Sequence, residues 1–185
     1  MTLIKIKYSF YIVLCLILHS CTVSTVELPF DLKCENMENP FMFILNLGNE
    51  CNHILVERVK ARRIFKSTAS IESWKGGSFQ DIILRDIDLE FCGHDEPGLK
   101  NIVAAQPHVD SRILPCWGLY VRNVKNLILD NVKLSYTEQE LRPAIYLDNV
   151  ANAELNRVEC KETSATNVIV TSNSGSIKTN ETDFK

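Results

Sequence analysis

An eight-residue pattern returns four times along the chain: apolar, any residue, apolar, two polar residues, apolar, any residue, apolar. It reads Ile54-x-Val56, Glu57-Arg58, Val59-x-Ala61, and again Ile82-x-Leu84, Arg85-Asp86, Ile87-x-Leu89. The third copy is Leu127-x-Leu129, Asp130-Asn131, Val132-x-Leu134; the fourth is Ala153-x-Leu155, Asn156-Arg157, Val158-x-Cys160. Alternation of period two suits a half-buried strand, because successive side chains point to opposite faces. The polar pair marks a bend where one strand ends and the next begins. A unit that cannot bury its apolar face alone, repeated along a chain, predicts a stacked solenoid.

The last two copies extend the repeat. A shift of 26 residues superimposes Gly118 to Asn126 on Ala144 to Asn152, with Tyr, Asn, Val and Asn coinciding. A period in the twenties fits one coil of a parallel β-helix, with about three short strands per turn. The predicted fold is therefore all-β, a single-stranded parallel β-helix of about five coils. Stacking then aligns Asn123 with Asn149 and Asn126 with Asn152, a geometry in which Asn side chains ladder between coils. The rival arrangement is an antiparallel meander with a hairpin at each polar pair. None of the four pairs is Asn-Gly, Asp-Gly or Gly-Gly, the usual hairpin turns.

Spacing locates an insertion. Ile54 to Ile82 is 28 residues and Leu127 to Ala153 is 26, but Ile82 to Leu127 is 45. Roughly one coil's worth of extra chain lies between Phe91 and Trp117. The expected organisation is a leader at 1–20, an N-terminal extension or cap at 21–40, a β-helix at 41–172 with an inserted loop at 92–116, and a polar tail at 173–185. Helix is scarce; Thr137 to Leu141 is the best candidate for a turn or two.

The amino terminus has the form of a secretory signal: Lys5 and Lys7, an apolar run from Phe10 to Leu18, then Ser20-Cys21. The run is short for a membrane span. Leu18-x-Ser20-Cys21 also has the form of a lipobox, which would lipidate Cys21 and anchor the protein at a membrane surface; plain secretion is the alternative. Five further cysteines then face an oxidising compartment: Cys34, Cys51, Cys92, Cys116 and Cys160. Cys160 occupies the slot of Leu134 and Leu89 and reads as a core thiol. Cys92 and Cys116 bracket the insertion, where a disulfide would staple its base. A net charge of −3 gives no basic footprint for nucleic acid. No cysteine or histidine spacing indicates a metal site, and no cofactor is predicted.

Long loops on rigid scaffolds tend to carry function. The insertion holds His94, Asp95, Glu96, His108, Asp110 and Arg112, with Trp117 at its exit. Carboxylates, a base and an aromatic platform are what a saccharide site uses; the same charges also suit a solvated loop. His94, Asp95 and Asp110 are the catalytic candidates, and Arg112, Trp117, Tyr120 and Tyr146 the binding candidates. Tyr120 and Tyr146 are placed on the outer face of adjacent coils. Asp86 reads as a bend residue. Asn180-Glu181-Thr182 has the form of a glycosylation sequon.

The run Trp117-Gly118-Leu119-Tyr120-Val121-Arg122-Asn123-Val124-Lys125-Asn126-Leu127-Ile128-Leu129-Asp130-Asn131-Val132 resembles the late coils of bacterial polygalacturonase-like proteins. These are family 28 glycoside hydrolases, within the pectate-lyase-like superfamily. Arg142 to Val150 continues the likeness, and Phe79 to Ile87 shares it more loosely, so it covers residues 40 to 160. The resemblance implies a right-handed parallel β-helix and an ancestry among enzymes that cleave galacturonic-acid-containing polysaccharide. That family's catalytic segments are Asn-x-Asp, Asp-Asp, Gly-His-Gly and Arg-x-Lys. This chain lacks them in that order: Gly93-His94 is followed by Asp95, and Ser176-Ile177-Lys178 lacks the Arg.

Two functional classes follow. One is an enzyme or enzyme remnant acting on acidic plant polysaccharide through the inserted loop. The other is a non-catalytic surface module that binds glycan or a partner chain. A solenoid this short also has two open ends, which a polar cap, a second copy or a partner chain would have to cover.

Overall fold

The structure, a computed structural model, describes residues 32–35, 43–48, 50–65, 68–94, 96–106, 113–164 and 167–185. The leader expected at 1–20 and Cys21 lie outside them. The elements in chain order are β1 (Leu32–Glu35), β2 (Phe43–Leu47), β3 (Cys51–Ile64), β4 (Ala69–Trp74), β5 (Phe79–Phe91), a 3₁₀ turn at Pro97–Asn101, β6 (Leu119–Tyr136), β7 (Ile145–Cys160), β8 (Ile169–Ser172), β9 (Ser176–Asn180) and β10 (Asp183–Phe184). Every strand pairing is parallel. The chain is a parallel β-helix of about five turns with three faces. The antiparallel meander is excluded.

The first face stacks β2, β4 and the opening segments of β6 and β7, then β8. The second stacks the first halves of β3 and β5, the middles of β6 and β7, and β9. The third runs from β1 through the ends of β3, β5, β6 and β7 to β10. The repeat sets the register: Ile54 pairs with Ile82, Ile82 with Leu127, and Leu127 with Ala153. Every apolar position of the four copies is buried, and each fully buried aliphatic side chain contributes about 1.5–3 kcal/mol.

The polar pairs explain how strands of 13 to 18 residues wrap a narrow core. The second member of each pair adopts the left-handed conformation, with φ of 56° at Arg58, 53° at Asp86, 55° at Asn131 and 53° at Arg157. Such a residue turns the strand sharply and costs about 1–2 kcal/mol when it is not glycine. Polar contacts between coils offset that cost. Asn131 Nδ2 donates to Asp86 Oδ1 at 2.6 Å, Asn149 to Asn123 at 2.7 Å, and Asn152 to Asn126 at 3.2 Å. The pairs also carry a column of alternating charge, the first members Glu57, Arg85 and Asp130 and then the second member Arg157, with Arg85 at 3.6 Å from Glu57 and 3.7 Å from Asp130, and Arg157 paired to Asp130.

Both ends differ from expectation. Leu32–Glu35 lies within the segment expected as extension or cap, yet it stacks on β3, with Leu32 opposite Val59 and Cys34 opposite Ala61. Residues 173–185, expected as a polar tail, complete a fifth coil through β9 and β10. Its copy of the pattern is Ile177-x-Thr179, Asn180-Glu181, Thr182-x-Phe184, with Glu181 at φ 49°. Threonine sits where the preceding coil places Leu147 and Leu155. It keeps the β-branched shape while offering a hydroxyl to solvent, which hid the copy from an apolar pattern. Thr137 to Leu141 is no helix: it is a bend, with Glu140 bridged to His94.

If the left-handed bends set the register, Asn131→Val lowers unfolding free energy by about 1–3 kcal/mol, whereas Asn131→Gly is near neutral or stabilising. Urea denaturation of both variants checks this.

Candidate functional site

The insertion leaves the third face after Phe91 and returns to the first face at Gly118. Its exit lies on the outer side of the first face: Leu114, Cys116 and Tyr120 form a buried cluster, with Ala104 and Tyr146 packed against it. Tyr120 is therefore covered rather than presented to a ligand. Its ring lies 5.9 Å from that of the half-buried Tyr146, so the pair is stacked as expected, but under a lid of the protein's own chain. The Tyr120 hydroxyl donates to Asp148 (3.0 Å), which also pairs with Arg122; the Arg122 guanidinium lies 4.1 Å over the Trp74 ring.

Trp117 is no sugar platform either. Only 1% exposed, it enters the main core and meets Phe91 and Tyr136 edge-on, at centroid distances of 5.6 and 5.2 Å. An aromatic at a loop exit reads equally as surface or core; here it closes the inside of a coil. Gly118 follows because a Cβ there would come within 2.8 Å of the Ala144 carbonyl and 2.9 Å of Leu134. Asp95, Asp110, Arg112 and His108 lie outside the described residues. Cys92 and Cys116 are free thiols, so no disulfide staples the insertion between them. Cys160 is the buried core thiol its slot implies.

A buried ion pair holds the base of the insertion instead. Arg142 donates through Nε to Glu140 Oε1 (2.9 Å) and through Nη2 to Oε2 (2.7 Å). Glu140 Oε1 also accepts the amides of Leu141 and Arg142 at 2.9 and 3.0 Å. The remaining guanidinium arm reaches the Leu114 carbonyl at 3.1 Å. One pair thus ties the exit of the insertion (Leu114) to the turn that bridges its start (His94). Glu-x-Arg in a polar run reads as solvated surface, which is why the sequence concealed it.

Among the candidate residues that the structure describes, His94 lines an open cleft. A cleft of about 650 Å³ is lined by Arg63, Phe65, Glu90, Cys92, Gly93, His94, Thr137 and Glu138. These residues come from corresponding turns of three successive coils, so the cleft runs roughly 10 Å along the stack, twice the inter-strand spacing. Backbone bonds fix it: Cys92 N donates to Ile64 O (2.9 Å), Thr137 N to Phe91 O (3.0 Å) and Glu138 N to Cys92 O (2.9 Å). His94 Nε2 donates to the Phe65 carbonyl at 2.8 Å, which fixes the ring; in the neutral imidazole Nδ1 is then an acceptor. Gly93 has φ 92°, and a Cβ there would lie 2.6 Å from the Gln139 carbonyl. A second small cavity shares Phe65, Gly93 and His94 and reaches Trp117 and the Glu140–Arg142 pair; among the described residues the buried Trp117 indole N–H has no hydrogen-bond partner.

Sequence reasoning missed most of this cleft, because its residues flank the repeat rather than sit in the insertion. The available signal was stacking itself: Arg63, Glu90 and Glu138 each fall just at or beyond the third-face strand of successive coils. Burial raises the Cys92 thiol first, Glu138 and Glu90 raise it further, and Arg63 acts in the opposite sense. Cys92 is thus a poor nucleophile. Among the described residues, no group of His, Cys, Asp and Glu is placed to hold a metal ion, and no helix is long and apolar enough to cross a membrane.

No protein-family model, curated protein or solved structure matches this chain. The likeness to polygalacturonase-like coils accordingly rests on the residues quoted above. The structure itself shows a β-helix.

Two outcomes test this geometry. Arg142→Met strands the Glu140 carboxylate in the core and costs about 3–5 kcal/mol, while the double change with Glu140→Leu recovers most of the loss; thermal melts decide. Burial also pushes the Cys160 thiol from 9.0 up to about 12 and raises Cys116 and Tyr120 in the same direction. A raised folded-state value means that this stability is fully present below pH 9.0 and is lost as pH rises toward about 12. Unfolding free energy therefore falls across that window, and Cys116→Ala with Cys160→Ala flattens the fall.

Proposed function

We propose that this chain is an exported, polysaccharide-associated β-helix module that binds glycan in the cleft between Arg63 and Glu138 and carries no catalytic machinery of the polygalacturonase type. The observation that carries this reading is the cleft. It is a rigid groove across three coils, lined by charged and hydroxyl side chains with one aromatic, Phe65. Ligand sites combine a concave apolar wall with a few fixed polar groups, and strand-end turns hold such groups with little conformational freedom. The leader and the lipobox support export and an anchor at Cys21. The family resemblance supports a plant cell-wall glycan, with galacturonate-rich chains as the class it implies.

The pairing of Glu90 with Glu138 in one cleft favours a second reading, residual glycoside hydrolysis by two carboxylates. One assay separates the two readings. The protein is incubated with pectic and neutral polysaccharides, and both its depletion from solution and the release of reducing ends are followed. Binding without release is expected, weakened about tenfold, or 1.4 kcal/mol, by Phe65→Ala together with Arg63→Ala. Release abolished by Glu138→Gln establishes the hydrolytic reading instead; neither depletion nor release contradicts both.

A further inference from the structure

We infer that the cleft takes an uncharged, hydroxyl-rich glycan and discriminates against polyanionic ones; this rests on the reading of the cleft as a glycan site and narrows its ligand. Among the described lining residues, two carboxylates, Glu90 and Glu138, stand against one guanidinium, Arg63. The geometry orders them along the stack. Arg63 belongs to the coil of β3, Glu90 to that of β5, opposite Ser135, and Glu138 follows β6. A ligand lying along the groove would therefore meet the cation at one end and carboxylates over the rest.

The hydrogen-bond inventory points the same way. An ionised carboxylate only accepts, and a neutral His94, whose Nε2–H donates to the Phe65 carbonyl, offers Nδ1 as a further acceptor. The charged donor in the described lining is the Arg63 guanidinium; the Thr137 hydroxyl already donates to the Cys92 carbonyl at 3.4 Å. Sugar hydroxyls donate, and a donor facing a charged acceptor makes a bond roughly twice as strong as a neutral pair. A uronate carboxylate only accepts, so it finds one matching cation and otherwise meets like charge. Cys92 lies between these groups and senses their field: both glutamates disfavour its thiolate and Arg63 opposes them. A second cavity shares Phe65, Gly93 and His94 with the cleft and is also lined by Trp117. Selectivity here departs from the galacturonate chemistry that the family resemblance implies.

The test uses galacto-oligosaccharides and oligogalacturonides of equal length and linkage, which differ at the C6 carboxylate. The full-length exported protein is titrated with each at low ionic strength by calorimetry. The neutral series binds at least tenfold more tightly. Glu90→Gln with Glu138→Gln, folded by circular dichroism, narrows that gap at least tenfold by strengthening oligogalacturonide binding. Equal or tighter binding of oligogalacturonides by the native protein, or no gain in the double variant, overturns the inference and leaves the glycan site standing. Failure of both series to bind the folded native protein overturns the glycan reading and the inference together.

Discussion

A backbone turn into the left-handed region, repeated at one position in each coil, is what the rest of this molecule depends on. Arg58, Asp86, Asn131, Arg157 and Glu181 all adopt it, and none is glycine. A parallel β-helix must bend its strands sharply without losing inter-coil hydrogen bonds. A single left-handed residue does that, at a local cost of about 1–2 kcal/mol. Stacking makes the cost tolerable, because the aligned side chains meet their counterparts one coil away. The inter-coil bond of Asn131 to Asp86 and the charge column from Glu57 to Arg157 exist only when the bends coincide. Exposed ion pairs of this kind each contribute about 0–1 kcal/mol, so the buried aliphatic columns supply most of the stability. The polar columns decide register.

The insertion uses that regular frame in a different way. Its exit covers Tyr120, and the buried Glu140–Arg142 pair ties both of its ends to a coil boundary. A buried pair of this kind contributes little net stability but is costly to break, so its effect is to specify one position for the chain. The cleft beside it inherits rigidity from three hydrogen-bonded turns rather than from the loop. The proposed glycan site thus sits where the loop meets the solenoid.

The fold was largely legible in the sequence. Sixteen inward positions in four copies left little alternative to a stack, and the Asn ladder followed from a 26-residue shift. The ends were less legible. At Thr179 and Thr182 the inward slots are polar, and at Leu32–Glu35 the copy is only one strand long, so an apolar pattern passes over both. The site was read poorly for a different reason. Inserted chain draws the eye to its own charged residues, yet the cleft's guanidinium and both of its carboxylates (Arg63, Glu90 and Glu138) come from the coils themselves. Trp117 misled because an aromatic beside a loop signals a platform as readily as a plug. His94 alone, among the candidates the structure describes, reaches the cleft.

The most direct test of this account is an amide and side-chain NMR titration of the isotopically labelled protein with a bound oligosaccharide. The account places the perturbed resonances at Arg63, Phe65, Glu90, His94, Thr137 and Glu138, across three coils, with the bend column from Arg58 to Arg157 unmoved. Perturbation centred instead on Trp74, Tyr146 and Asp148, on the first face, would contradict it.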